Sequence, residues 1–234
     1  MNNDLIIGIY ACGISPKYRH EINVINSTWG KSCEKLGVKY LFFMGEEETD
    51  YKDDKYIYLK GVKNDYLSAT YKHWHGYKYI YDNYPDTKFI LMIGSDTFVD
   101  VQKLLNECFS KYDYNDEIII GGITNEGHIR TIEDKQMIFI DGGSGYVITK
   151  ATHKKLCYLY ENKFEEWFKI APNFYDCTDV CMSYYCIKND IKFIENPKFD
   201  SRWKKSYNIY DFITMHPNDY YQLNELSTLH AMNN

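Results

Sequence analysis

The sequence predicts an α/β fold, a central and mostly parallel sheet flanked by helices, and three observations lead there. Phe89–Ile93 is an unbroken apolar run, the mark of a strand buried on both faces. Similar runs alternate along the chain with segments whose apolar residues recur at helical spacing. The Phe89–Ile93 run leads straight into Gly94, Ser95 and Asp96. A carboxylate therefore stands at the carboxyl end of a central strand, the edge where open α/β sheets bind ligands.

Leu5–Tyr10 reads as a first buried strand ending at Ala11-Cys12-Gly13, a turn of small residues that lets a ligand approach the backbone, as first turns holding a nucleotide do. Tyr18–Leu36 carries Ile22, Ile25, Trp29, Cys33 and Leu36 at helical spacing, interrupted near Gly30. Val38–Met44 is a second strand. Glu46–Asp54 is an acidic, solvated loop, and Tyr56–Leu59 a short strand. Tyr66–Tyr81 reads as a helix with Leu67, Tyr71, Trp74 and Lys78 down one side, and it leads into the central strand.

After Asp96, the residues Val101, Leu104, Leu105, Cys108 and Phe109 follow amphipathic helical spacing from an N-cap at Asp100. Asp100 competes with Asp96 for that cap, which leaves Asp96 for a ligand. Glu117–Gly121 and Met137–Ile140 are further strands. Asp141–Gly145 is a glycine-rich turn without the spacing of either phosphate-binding motif, better suited to close approach of a bulky ligand. Tyr146–Thr149 is a strand and a helix starts at Lys150. Asp176–Lys188 is a helix on which Asp176 and Asp179 are surface neighbours. Lys192–Ile194 is a strand, Trp203–Tyr210 a loop, and Tyr210–Met215 a last strand with His216 at its end.

The 234 residues are read as one domain, 1–234, with no linker, repeat or low-complexity tract. A net charge of −6 without a Lys/Arg block excludes nucleic acid or an anionic membrane as main partner. An anionic substrate then needs a metal or a few placed cations. The 24 Tyr and 12 Phe suit a carbohydrate-handling surface, although an AT-rich codon usage explains them equally. The opening MNNDLIIGIYAC is too short for a membrane span and lacks the flanks of a signal peptide. Seven cysteines without a C-x-x-C pair fit reduced thiols, and the expectation is a cytoplasmic protein. Asp96 and His216 each follow an apolar strand, and a mixed oxygen and imidazole set suits Mn²⁺ or a similar divalent ion. Asp179 is either a general base or an exposed carboxylate on a helix face.

Taken in order, the motifs resemble those of the Fringe-like β-1,3-glycosyltransferases. Arg19 followed by Ser27-Thr28-Trp29-Gly30 is similar to an early Arg…Thr-Trp-Gly element, and Tyr40–Gly45 to a strand ending Phe-x-x-Gly. Asp65-Tyr66 with Thr70 and Lys72 is similar to Asp-x-Tyr followed by Leu-Thr-x-Lys. Lys88–Val99 resembles the strand ending Asp-Asp-Asp-Thr-Phe-Val, with Gly94-Ser95-Asp96 keeping only the last carboxylate. Gly142–Val147 resembles Gly-Gly-x-Gly-Tyr-Val, and Thr178-Asp179-Val180 stands where the family has Glu-Asp-Val.

The resemblance implies a single GT-A-like, Rossmann-like domain that transfers a sugar from a UDP-sugar to a hydroxyl of a glycan or glycoprotein acceptor with inversion. It implies Asp179 as catalytic base with Asp176 in reserve, and Asp96 and His216 as metal ligands. Arg19 and Lys72 become cations for the donor diphosphate, Lys72 as a surface side chain of its helix. Ala11 and Ser95 line the nucleotide side and Gly143 lies beside the transferred sugar. The family's membrane anchor and luminal disulfides have no counterpart here, as a microbial or viral version acting in the cytosol would have it. The rival expectation is a non-catalytic carbohydrate- or nucleotide-binding domain whose metal motif has decayed.

Overall fold

The structure, a computed structural model, describes residues 2–47, 49–65, 67–124, 131–132, 135–136, 138–161, 177–201 and 211–217. Its strands are β1 (Asn2–Tyr10), β2 (Val38–Met44), β3 (Tyr56–Tyr58), β4 (Phe89–Gly94), β5 (Phe98–Val99), β6 (Ile118–Gly121), β7 (Ile123–Thr124), β8 (Thr131–Ile132), β9 (Lys135–Gln136), β10 (Phe139–Ile140), β11 (Tyr146–Thr149), β12 (Lys192–Glu195), β13 (Phe199–Asp200) and β14 (Thr214–Met215). The helices are α1 (Pro16–Ser27), α2 (Trp29–Leu36), α3 (Ala69–Asn83), α4 (Val101–Lys111), α5 (Lys150–Glu161) and α6 (Thr178–Lys188).

Seven strands form the central sheet in the order β12-β6-β11-β4-β1-β2-β3. Every neighbouring pair is parallel except those of β11, which runs against both β4 and β6. The continuous apolar runs follow from burial of both faces. Leu5, Ile7, Ile9, Leu91 and Ile93 pack with Ile22, Ile25 and Trp29 of α1 and α2 and with Leu104 of α4. Their alternates Ile6, Ile90 and Met92 pack on the other side with Trp74 and Tyr77 of α3, Leu156 of α5 and Met182 of α6.

The expected elements are present within the described residues, with three corrections. The first helical stretch breaks at Thr28, not at Gly30, where the Thr28 hydroxyl donates to the Val24 carbonyl at 2.6 Å and α2 starts afresh. The last strand is only Thr214–Met215, paired with β5 and β13 in a small sheet of its own. The helix α3 buries a different face from the one expected: Leu67 and Tyr71 are 57% and 38% exposed, and Thr70, His73, Trp74, Tyr77 and Ile80 face inward. That stripe is hidden in the sequence because its middle is a histidine. Burial pushes His73 down to about 3, and the resulting neutral ring hydrogen-bonds the Tyr146 hydroxyl at 2.6 Å. Asp176 and the Trp203–Tyr210 loop lie outside the described residues. Among the described residues, no helix is long and apolar enough to cross a membrane.

Candidate active site

The strands β1, β2, β4 and β6 point the same way, so their carboxyl ends share one edge of the sheet. Because β11 runs opposite, its start lies at that same edge, and with it the turn Asp141–Gly145. Topology thus collects the Ala11 turn, Ser95-Asp96 and the glycine turn. The small sheet adds a fourth piece. Met215 of β14 pairs with Phe98 of β5, which brings His216 back alongside Asp96.

There the His216 Nε2 lies 3.2 Å from Asp96 Oδ2, with side chains 28% and 40% exposed. Burial works against both charges, but their mutual hydrogen bond and attraction outweigh it. Asp96 is held below the usual carboxylate value, and His216 is raised above the usual imidazole value with further help from the charge of Asp141. The Ser201 backbone also favours the charged His216 ring.

The turn spans the gap between this pair and α6. A Cβ on Gly142 would stand 2.7 Å from Asp179 Cβ, and one on Gly143 would stand 3.5 Å from His216 Cγ and 3.1 Å from Ser201 Cβ. At Gly142 only a residue without a side chain lets Asp179 come this near the turn. Asp179 Oδ2 accepts from the Gly142 N–H at 3.1 Å and Oδ1 from the Val180 N–H at 2.9 Å. Desolvation nonetheless dominates and, with the nearby Asp141 charge, raises Asp179 above the ordinary carboxylate value. A carboxylate so tuned and half-buried beside the glycine turn is suited to take a proton. The Thr97 hydroxyl ties the turn to the Asp96 segment by donating to the Gly143 carbonyl at 3.0 Å.

Beside Asp96 a cleft is lined by Tyr10, Ala11, Cys12, Tyr18, Asn64, Asp65, Ala69, Lys72, Gly94 and Ser95. The candidates Ala11, Lys72 and Ser95 thus line this cleft with Asp96, while Gly143 and Asp179 belong to the glycine turn and its neighbour α6 and are not among the lining residues. Lys72 is not a surface side chain. It is 3% exposed, and its ammonium donates to the Ala11 carbonyl at 2.7 Å and to Asn64 Oδ1 at 3.0 Å. Burial lowers its pKa below the usual lysine value. Arg19 is not among the cleft-lining residues. It pairs with Asp50 at 2.7 Å and reaches the Gly13 carbonyl at 3.3 Å, bracing the first turn from outside. Asp176 lies outside the described residues.

Three residues of this site escaped the sequence reading. Glu21 of α1 is 2% exposed and its Oε2 accepts from the Ser95 hydroxyl at 2.5 Å. Asn64 holds Lys72 and accepts from the Gly45 N–H at 2.9 Å. Asp141 accepts from the Gly143 N–H at 3.0 Å and from the Ser201 hydroxyl. The only sequence signal for any of them was the carboxylate beginning the glycine turn.

The Fringe-like family profile matches residues 2–222 of the chain. Among solved structures, a glycosyltransferase involved in the glycosylation of the major capsid of PBCV-1 is similar over 97% of this chain and 99% of its own, with a TM-score of 0.54 and 12% identity. The 4-diphosphocytidyl-2C-methyl-D-erythritol synthase of Anaerococcus prevotii DSM 20548 is similar over 96% of this chain and 95% of its own, with a TM-score of 0.50 and 12% identity. No curated protein sequence matches the chain. At these identities the structural likeness is one of fold, and the fold is the GT-A-like one expected. The family match spans nearly all of the chain and takes in every motif that carries the resemblance: the chain belongs to the Fringe-like family.

Proposed function

We propose that the protein is an inverting glycosyltransferase that moves a sugar from a UDP-sugar to a hydroxyl of a glycan or glycoprotein acceptor, in a β-1,3-type linkage. Family membership and a glycosyltransferase structural neighbour support the class. The observation that supports the mechanism is that the Asp96–His216 pair meets the Asp141–Gly145 turn at Gly143 and Asp179 meets it at Gly142. Inversion needs the acceptor to attack opposite the departing diphosphate. Asp179 takes the acceptor proton, and Asp96 and His216 serve the leaving-group side.

On that side, an oxygen and a nitrogen ligand facing one another fit a divalent ion such as Mn²⁺. Among the described residues no group of three His, Cys, Asp or Glu side chains could hold one. Asp96 and His216 would therefore hold the ion together with donor phosphate oxygens and water. Once bound, it neutralises the charge gathering on the diphosphate. Lys72 directs its ammonium at the Ala11 turn beside Ser95, the wall assigned to the nucleotide. All seven cysteines are free thiols, which supports action in the reducing cytosol.

Thermal-shift and calorimetric titration with UDP and UDP-sugars, with and without Mn²⁺, followed by a UDP-release assay, tests this reading. Mn²⁺-dependent UDP binding with turnover is the expected result. Binding without turnover over a range of acceptors would favour a binding domain instead, a reading the loss of carboxylates at Gly94 and Ser95 would suit.

A further inference from the structure

The carboxylate of Asp141 has no part in the chemistry assigned so far, yet it lies at the middle of the site. Its turn runs from Asp179, against which Gly142 is packed, to His216, against which Gly143 is packed. The carboxylate folds over that turn, so that a Cβ on Gly143 would be 3.4 Å from Asp141 Oδ1 and 3.5 Å from His216 Cγ. Its partners among the described residues are neutral, the Gly143 N–H and the Ser201 hydroxyl. A carboxylate offers about four acceptor positions, and these two donors leave positions open on both oxygens.

We propose that Asp141 binds the sugar being transferred, its carboxylate accepting hydrogen bonds from ring hydroxyls of the donor hexose. This rests on the transferase reading, in which the transferred sugar occupies the space between the leaving-group pair and the base. A fixed negative charge there repels phosphate and suits a neutral group rich in O–H donors. It also makes the site one for an intact nucleotide-sugar, with affinity that free UDP cannot draw on. A group built to hydrogen-bond a hydroxyl penalises an analogue that lacks it, because the partner is left unpaired.

The test is calorimetry with UDP, with the UDP-hexose that wild type binds best, and with analogues of that hexose deoxygenated at single ring positions. The proteins are wild type, Asp141→Asn, Asp141→Ser and Ser201→Ala. Asp141→Asn and Asp141→Ser should each lower affinity for the intact UDP-hexose about 10- to 100-fold and leave UDP affinity within about 2-fold. At least one deoxy analogue should bind wild type more weakly by a similar factor and cost the Asp141 variants nothing further. Ser201→Ala, which keeps the charge, should retain hexose binding. The assignment is overturned if every deoxy analogue costs wild type and variants equally, or if UDP and UDP-hexose weaken together, as a metal-binding or purely structural role would have it. Wild-type protein that binds neither UDP nor any UDP-hexose overturns the transferase reading and this assignment with it; UDP binding with an unchanged hexose preference overturns the assignment alone.

Discussion

The Ser95 hydroxyl donates a 2.5 Å hydrogen bond to Glu21 Oε2, so the residue before Asp96 is joined to a buried carboxylate of α1. Burial raises Glu21 above its usual value, with the charge of Asp96 adding to the effect against the Ser95 hydrogen bond. The resemblance of Lys88–Val99 to a strand ending Asp-Asp-Asp-Thr-Phe-Val sets an aspartate against Ser95. Restoring that aspartate would set two carboxylates against each other at hydrogen-bond distance with little water to screen them. Ser95→Asp is therefore expected to destabilise the fold by about 1–3 kcal/mol, and Ser95→Asp with Glu21→Gln to recover most of the loss. Denaturant unfolding of both singles and the double measures the coupling. Additive effects would mean that the two positions do not oppose each other.

The Asp96–His216 pair predicts a metal requirement. Asp96→Ala and His216→Ala should each remove most of the gain in UDP affinity that Mn²⁺ confers. In the metal-free protein His216, raised from 6.5, contributes stability that is full below that pH and fades as pH climbs through its folded value. Asp96, lowered from 3.8, contributes above that pH and fades as pH falls through its folded value. Metal binding runs the other way with His216, since the ion needs the neutral ring. Mn²⁺-dependent UDP affinity, measured by calorimetry across pH, should rise as His216 deprotonates. Equal UDP affinity with and without the ion in all three proteins would remove the metal from the mechanism.

Asp179→Asn is expected to slow transfer about 10²–10⁴-fold while UDP affinity in the presence of Mn²⁺ barely changes. Because desolvation raises Asp179 above 3.8, the acid limb of kcat should fall at a pH above that value. Transfer at wild-type rate by Asp179→Asn would pass the role to Asp176 if Asp176→Asn is then inactive. Activity in both variants would place the base elsewhere.

Lys72→Ala should destabilise the protein as well as weaken donor binding. Removing the ammonium leaves the Ala11 carbonyl without this donor in a buried place and Asn64 Oδ1 with the Gly45 N–H, a loss of about 1–3 kcal/mol. Unfolding midpoints and UDP titrations, both taken at a temperature where the variant stays folded, separate the two effects. A stable variant with unchanged UDP affinity would leave Lys72 neither the donor-binding role nor the structural one.

The sequence by itself determined the strands that are buried on both faces, because a continuous apolar run such as Phe89–Ile93 has only one use in a chain this polar. It also determined the local devices: the Asp100 cap, whose side chain accepts from the Lys103 N–H at 3.0 Å, and the glycine turn. Ordered motifs carried the family. What only the tertiary structure decided is which polar groups meet. His216 reaches Asp96 through a strand pair two residues long, Glu21 reaches Ser95 from a helix 74 positions away, and Lys72 turns inward because Ala11 and Asn64 supply acceptors there. Such contacts leave no periodic trace, since each depends on one side chain meeting another across the fold, whereas burial of apolar surface repeats along every strand and helix and so can be read from spacing alone.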